Sequence, residues 1–163
     1  MKEPANPIHY CVIASPVGKL LLTASGKHLT RLSFQNGEHP IKPEPAWIYN
    51  QQSFHETIEQ LNAYFSGKRK AFTIKAAPAG TPFQQQVWKT LKTIPYGKTV
   101  SYGEIAQAIG KPQASRAVGA ANGKNPISII FPCHRVIGST GNLVGYGGGL
   151  SIKEKLLALE QSL

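Results

Sequence analysis

The segment Pro132–Val136 contains the residues of this chain that are best suited to chemistry. Its sequence, Pro-Cys-His-Arg-Val, places Cys133 directly before a base and a cation. A free thiol with a pKa of about 8.5 is only about 3% ionised at neutral pH, and a neighbouring base and positive charge increase that fraction. We therefore predict that Cys133 is a nucleophile with a lowered pKa. The alternative is a buried structural cysteine beside a satisfied histidine, and adjacency alone favours neither.

A nucleophilic cysteine needs a base, and the base needs a third group that orients it. From residue 81 onward the chain has three carboxylates, and Glu104 and Glu154 each follow a serine by three residues, which predicts capping boxes. Glu160 remains, and it continues the row Ile152, Leu156, Glu160 on the inward face of the last predicted helix. Because a buried carboxylate needs a partner, we expect Glu160 to pair with a histidine.

Residues 141–149 form a glycine-rich segment between the cysteine and the last helix. The high glycine content of this segment indicates that its backbone comes close to a ligand. The segment lacks the Gly-Lys-Ser/Thr ending of a phosphate-binding loop, so we expect instead a backbone-lined pocket for a planar group.

Residues 1–76 predict an α/β domain with an antiparallel sheet and a covering helix. Three β-rich runs, at 10–14, 20–24 and 29–34, are separated by turn sequences and indicate a meander. Apolar residues then recur at helical spacing at Phe54, Ile58, Leu61 and Phe65.

Residues 77–163 predict a mostly α, winged-helix-like second domain. Thr81–Gln84 and Ser101–Glu104 are capping boxes that should each begin a helix. The second of these helices stops near Gly110, and another is expected from about Gln113 to Ala121. Two short helices joined by a tight turn indicate a helix-turn-helix.

The helix predicted at 113–121 consists mainly of small residues and carries Arg116 as its only charge. A helix that reads the major groove normally has several long polar side chains. Small residues instead permit close approach to a narrow surface, and a lone arginine can enter a base stack or a minor groove. The alternative is an alanine-rich helix packed in the core.

Charge and composition restrict the class of protein. Eighteen Lys and Arg oppose eight carboxylates, all Glu, for a formal charge of +10. This excess favours a phosphate backbone as partner, while the lack of Asp argues against a metal-dependent nuclease. No run reaches the ~18 apolar residues of a membrane span, and the first residues lack the apolar core of a signal peptide. Since Cys11 and Cys133 are far apart and form no CxxC motif, we expect a cytoplasmic protein.

Together these residues resemble the 6-O-alkylguanine-DNA alkyltransferases, also called methylated-DNA–protein-cysteine methyltransferases. The resemblance is carried in the C-terminal half by Tyr102, Arg116, Asn125, Pro132–Val136, Gly145-Tyr146, Gly148–Leu150 and Glu160. The turn Ser15–Leu20 extends it to the N-terminal half. It implies repair of 6-O-alkylguanine in duplex DNA, with 4-O-alkylthymine as a further candidate, by a monomer that needs no cofactor and acts once.

The resemblance also implies a role for each site residue. Cys133 accepts the alkyl group, activated through a water and His134, which Glu160 orients. Asn125 braces the active-site turn. The remaining substrate-binding residues are Tyr102, which assists departure of the guanine, the carbonyls of Cys133 and Val136, the aromatic Tyr146, and the amide of Gly147.

The implied DNA contacts lie in the minor groove. Arg116 would fill the gap left by the flipped nucleotide, which must leave the stack because its reactive atom is inaccessible inside a duplex. The other expected DNA contacts are Ser101, Ala114, Ser115, Gly119, Asn122 and Ser139. Some members bind zinc near the N-terminus, but Asn6, Ser25 and Thr30 stand at those positions here, so we expect no metal.

Two rival functions remain. A Cys-His-Glu hydrolase would turn over acyl substrates, but it has no use for the small-residue helix with Arg116. A DNA binder that senses alkylation damage without transfer would share the fold, but such proteins carry another residue in place of the acceptor cysteine, and Cys133 is present.

Overall fold

The computed structural model describes residues 6–37, 40–146 and 148–161. Within these ranges an N-terminal sheet with one covering helix precedes a mostly helical second part, as predicted. Gly147, one of the expected substrate-binding residues, lies outside the described residues. No helix of the described chain is long and apolar enough to cross a membrane.

The N-terminal sheet has four strands in the order β3-β2-β1-β4. The predicted meander is confirmed by the antiparallel strands β1 (Ile8–Ile13), β2 (Leu20–Ser25) and β3 (His28–Phe34). The short strand β4 (Ile48–Tyr49) was not predicted, and it pairs with β1 in parallel. The sheet is therefore mixed, because the proline-rich connection after β3 returns the chain to the opposite edge.

The predicted covering helix is α1 (His55–Phe65), which follows a 3-10 turn at Gln51–Phe54. Phe54 and Leu61 are fully buried, as the spacing requires. The prediction did not include Tyr64, which is also fully buried. Its side chain points to the second part of the molecule rather than into the sheet's own core.

Four helices form the second part: α2 (Pro82–Leu91), α3 (Tyr102–Ala108), α4 (Ser115–Gly123) and α5 (Leu150–Gln161). Both capping boxes predicted for α2 and α3 are present, with the Thr81 and Ser101 hydroxyls each accepting at 3.1 Å from the backbone N–H three residues on. Two short strands, β5 (Val100–Ser101) and β6 (Val136–Ile137), pair in parallel beside them.

Two helix boundaries differ from the prediction. Helix α4 begins at Ser115 rather than Gln113, because the turn between the helices extends to Ala114. Helix α5 begins at Leu150, so Ser151 lies inside it and is not the N-cap residue of a capping box with Glu154. Serine three residues before glutamate is therefore not sufficient to place a helix start.

The edge strand β3 supports the segment that leads to Cys133. The Leu32 amide donates to the Pro126 carbonyl at 2.9 Å, and the Ser128 amide donates to the Leu32 carbonyl at 3.0 Å. The ring of Phe34 lies 5.6 Å from that of Tyr146 in the glycine-rich segment. The N-terminal sheet thus contacts both segments from which the predicted site is built.

Candidate active site

The chain makes two very tight turns just before Cys133. The Ile130 amide donates to the Ser128 carbonyl at 2.8 Å, and the Cys133 amide donates to the Phe131 carbonyl at 2.7 Å. Ile129, the central residue of the first turn, has a φ of 71°, a conformation that costs a β-branched residue on the order of 1–3 kcal/mol. Ile129 is almost completely buried, so surrounding packing holds the strained turn in place.

Asn125 joins the two ends of this turn. Its Nδ2 donates to the Phe131 carbonyl at 2.8 Å, and its Oδ1 accepts from the Ile127 amide at 3.0 Å. The Phe131 carbonyl thus accepts from both Asn125 and the Cys133 amide, and the Ile127 amide donates to the Asn125 side chain. The placement matches the bracing role that the resemblance implies.

The Cys133 thiol is buried, with the residue only 3% exposed. Burial raises its pKa, although the side chains of Asn125, Tyr146 and Ser128 and the charge of Lys153 oppose the rise. The expectation of a lowered pKa was therefore wrong: the resting thiol is protonated. Its chemistry requires a base that takes the proton.

His134, the next residue in the chain, is the candidate for that base. Its Nε2 lies 2.6 Å from Glu160 Oε2, while its buried Nδ1 has no hydrogen-bond partner among the described residues. Burial lowers the pKa of His134 even though the Glu160 carboxylate opposes that effect, so the ring is neutral. Because a carboxylate can only accept, Nε2 carries the ring proton and Nδ1 offers a free lone pair.

Glu160 is buried in a ring of donors. Arg135 donates to it twice, from Nε to Oε1 at 2.8 Å and from Nη2 to Oε2 at 3.1 Å. The Gly97 amide reaches Oε1 at 3.3 Å, and the Tyr64 hydroxyl reaches Oε2 at 2.6 Å. Burial by itself would raise the pKa of the Glu160 carboxyl, but the donors from His134, Arg135 and Tyr64 lower it to about 2. The carboxylate is therefore ionised throughout the neutral range.

Sequence reasoning missed three buried residues of the site. Arg135 was noted only as a positive neighbour of the thiol, whereas it is the ion-pair partner of Glu160. Tyr64 was overlooked. Lys153 is fully buried, and its Nζ donates to the Val136 carbonyl at 2.7 Å and the Val144 carbonyl at 2.9 Å. The signal for Lys153 was its position between Ile152 and Leu156 on the inward face of α5.

The expected substrate-binding residues lie around Cys133. The half-buried Tyr102 side chain has its hydroxyl 3.4 Å from the Val144 carbonyl. The buried Tyr146 side chain faces the Cys133 thiol, whose pKa it helps to lower. The Cys133 carbonyl already accepts from the Val136 amide and from Asn122 Nδ2, at 3.4 Å for the latter. The Val136 carbonyl accepts from Lys153, and a carbonyl oxygen has two lone pairs.

Most of the predicted DNA contacts line one shallow depression between α3 and α4. Its walls are Ser101, Tyr102, Gly103, Ser115, Arg116, Gly119 and Ser139. Ala114 lies beside it as the N-cap residue of α4. Asn122 does not share this surface: it is 4% exposed, and its side chain contacts the Cys133 carbonyl. The prediction that Asn122 contacts DNA does not fit this buried position.

Helix α4 has two different faces. One fits the interpretation of an alanine-rich helix packed in the core, and the other fits a surface that permits close approach. Val118 and Ala121 are buried, and Trp88 Nε1 donates to the Ala121 carbonyl at 2.8 Å. Arg116, Ala117 and Ala120 are exposed on the other side. One face packs in the core, and the other presents short side chains and one arginine.

No group of three or more His, Cys, Asp or Glu side chains in the described ranges is arranged to hold a metal ion.

Two family models together match most of the chain. Residues 8–78 match the ribonuclease-like domain of 6-O-methylguanine DNA methyltransferase, and residues 82–162 match its DNA-binding domain. The methylated-DNA–protein-cysteine methyltransferase of Methanosarcina acetivorans is 52% identical over 155 residues, covering 95% of this chain and 99% of that protein. The one from Mycobacterium tuberculosis is 53% identical over 156 residues, covering 95% and 93%.

Solved structures of the same family are similar to this chain over most of its length. Mycobacterium tuberculosis OGT in complex with DNA superposes with a TM-score of 0.89 at 51% identity, covering 94% of this chain and 93% of that one. An O6-methylguanine DNA methyltransferase from Methanococcus jannaschii gives 0.67 at 26% identity, with 93% of each chain covered.

Fold and site define a two-domain protein in which a helix-turn-helix unit is followed by a turn with a buried cysteine and a histidine, the latter paired with an ionised glutamate. The chain belongs to the 6-O-methylguanine DNA methyltransferase family.

Replacing Glu160 by Gln tests the relay of Cys133, His134 and Glu160. Without the carboxylate, His134 no longer has a counter-charge for the proton it takes from the thiol. We expect the reaction of Cys133 with iodoacetamide to slow roughly ten-fold or more at neutral pH, and to recover partly at high pH as the thiol ionises unaided. Intact mass spectrometry across a pH series measures the rate, and circular dichroism checks the fold.

The matched control is Glu154→Gln, which removes an exposed carboxylate from the same helix. It should leave the profile unchanged. If Glu160→Gln also leaves it unchanged, Glu160 has only a structural role.

Proposed function

We propose that this protein repairs 6-O-alkylguanine in DNA by transferring the alkyl group to Cys133. The observation that carries the proposal is the buried thiol beside a neutral histidine whose Nδ1 is free and whose Nε2–H is held by an ionised glutamate. The thiol proton passes to His134, directly or through a water. Sulfur then attacks the alkyl carbon, the bond from that carbon to the guanine oxygen breaks, and the guanine leaves.

The groups around the thiol fit a flipped guanine. The second lone pair of the Val136 carbonyl can accept from the exocyclic amine, and the Tyr102 hydroxyl can donate to the departing base, whose negative charge must be stabilised. Tyr146 offers an aromatic wall. By resemblance, the Gly147 amide donates to the substituted oxygen.

Duplex DNA is the proposed partner, bound through its minor groove by a monomer of this chain. The depression between α3 and α4 supports this proposal, since apart from Tyr102 and the exposed Arg116 it is lined by serine and glycine. A helix surface without bulk allows the narrow groove to approach, and the arginine can replace the extruded nucleotide in the stack. The charge of +10 adds attraction to phosphate, and a relative at 51% identity was crystallised with DNA.

We also propose a domain boundary between residues 76 and 77. The two family matches support a boundary close to this point, because one ends at residue 78 and the other begins at residue 82.

Neither rival function gains support from the site. A hydrolase would use the thiol but not the depression that carries Arg116. A binder that senses damage without transfer has no need for the relay behind Cys133.

Alkyl transfer should stop after one equivalent per protein molecule. Attack on an alkyl carbon forms a thioether, and no group near Cys133 can cleave so stable a bond. Incubation with a methylated-guanine oligonucleotide and intact mass spectrometry should show one added methyl group, assigned by peptide mapping to Cys133. Cys11 is the internal control, because burial raises its pKa to about 11 and the residue is fully buried in β1. Sustained turnover, or methyl on Cys11, would contradict the proposal.

Replacing Arg116 by Ala should separate base extrusion from chemistry. The arginine compensates for unstacking, which costs a few kcal/mol and is irrelevant for a free base. We expect the variant to repair alkylated duplex DNA much more slowly, yet to react with free 6-O-benzylguanine at nearly the unmodified rate.

Lys27→Ala is the charge-matched control, because it removes an exposed cation from the turn between β2 and β3. It should affect both reactions little. Equal losses on both substrates for Arg116→Ala would show that Arg116 supports the fold or the thiol instead.

A further inference from the structure

Tyr64 brings the N-terminal domain into direct contact with the relay behind Cys133. It lies on α1, within the match to the ribonuclease-like domain, and is fully buried. Its hydroxyl donates to Glu160 Oε2 at 2.6 Å, across 96 residues of sequence. None of the roles implied by the resemblance involves this residue.

The oxygen that Tyr64 contacts is the one that holds His134. Glu160 Oε2 accepts from His134 Nε2 at 2.6 Å, from Tyr64 at 2.6 Å and from Arg135 Nη2 at 3.1 Å. Three donors share the negative charge of one atom. Each donor reduces the charge available to stabilise a proton on His134.

The charged and titratable groups around Glu160 come from every element packed against it. Tyr64 lies on α1, Tyr96 on the turn after α2, and His134 and Arg135 on the active-site turn, with Lys153 on α5 itself near His134 and Cys133. The pKa of Tyr64 is held far above its ordinary value, chiefly by burial and secondly by the negative charge of Glu160. Tyr64 therefore remains a donor over the whole pH range in which the site operates.

We propose that Tyr64 is a positioning residue through which the N-terminal domain limits the basicity of His134. This inference rests on the proposed function, in which His134 takes the Cys133 proton. The limit keeps the thiol protonated at rest, which protects a nucleophile that can be used only once from electrophiles other than its substrate.

The direction of the effect of Tyr64→Phe follows from the charge on Oε2. Loss of the hydroxyl leaves a more basic carboxylate, still held by both bonds from Arg135 and by Gly97. His134 then binds a proton more strongly, so its pKa rises and more of the thiol transfers its proton at neutral pH. At low pH His134 is protonated in both proteins, and at high pH Cys133 is ionised in both. The two rates therefore converge at both ends of the pH range.

Two measurements test this, and neither depends on DNA or on alkylguanine. We expect the rate of Cys133 with iodoacetamide in Tyr64→Phe to rise by about three-fold or more near neutral pH, with no change at the extremes. We expect NMR titration to show a higher pKa for His134. A failure of methyl transfer would overturn the proposed function while leaving both of these readouts interpretable.

Tyr96→Phe is the matched control. The Tyr96 ring lies 6.2 Å from the Tyr64 ring, and its buried hydroxyl has no hydrogen-bond partner in the described chain. It should change neither readout. A uniform change in rate at every pH, an unchanged or lowered His134 pKa, or the same response in Tyr96→Phe would each overturn the proposal.

A second variant retains both the ring and the hydroxyl in case Tyr64→Phe does not fold. Site-specific 3-fluorotyrosine at position 64 is a more acidic, stronger donor. It should lower the pKa of His134 and slow the reaction near neutral pH. A change in the opposite direction, or none, would overturn the inference.

Discussion

The negative charge of Glu160 is the constraint on which the rest of this site depends. A carboxylate that is 3% exposed would be strongly unfavourable without partners. It is stable here because it accepts four hydrogen bonds from Tyr64, Gly97 and Arg135, together with the bond from His134. The donors come from α1, from the turn after α2 and from the active-site turn. The buried charge of Glu160 therefore contacts the N-terminal domain, the helical domain and the turn that contains the nucleophile.

That arrangement explains why a protonated thiol can still be a nucleophile. Burial keeps the pKa of Cys133 raised, and it also keeps His134 neutral with Nδ1 free. Proton transfer between them produces a thiolate next to an imidazolium, and the imidazolium is stabilised by Glu160. The site does not store a charged nucleophile but generates one when a substrate is in place.

Sequence reasoning identified the relay but not its surroundings. Glu160 could be predicted because carboxylates are scarce and its spacing with Leu156 places it inward, even though the assumed capping box at Ser151 was wrong. The role of Tyr64 could not be predicted, since an aromatic residue on an amphipathic helix looks like an ordinary core residue. Its partner, Glu160, is 96 positions away. The direction of the Cys133 pKa was also missed, because neighbours in sequence reveal charge whereas the dominant effect is desolvation, which depends on the fold.

Helix α4 lies between the proposed DNA surface and the active site, so its thickness separates the two. Arg116 and Ala120 are exposed on its outer face, while Asn122 on the inner face contacts the Cys133 carbonyl. An α-helix with its side chains has a typical diameter of about 10–12 Å, and a helix with very short side chains is much thinner. Each larger residue on the outer face would hold a duplex further from the thiol, and the flipped nucleotide would have to reach further. In the proposed complex, the shortage of bulky side chains on the outer face of α4 keeps the duplex close to the thiol, while its inner face packs in the core.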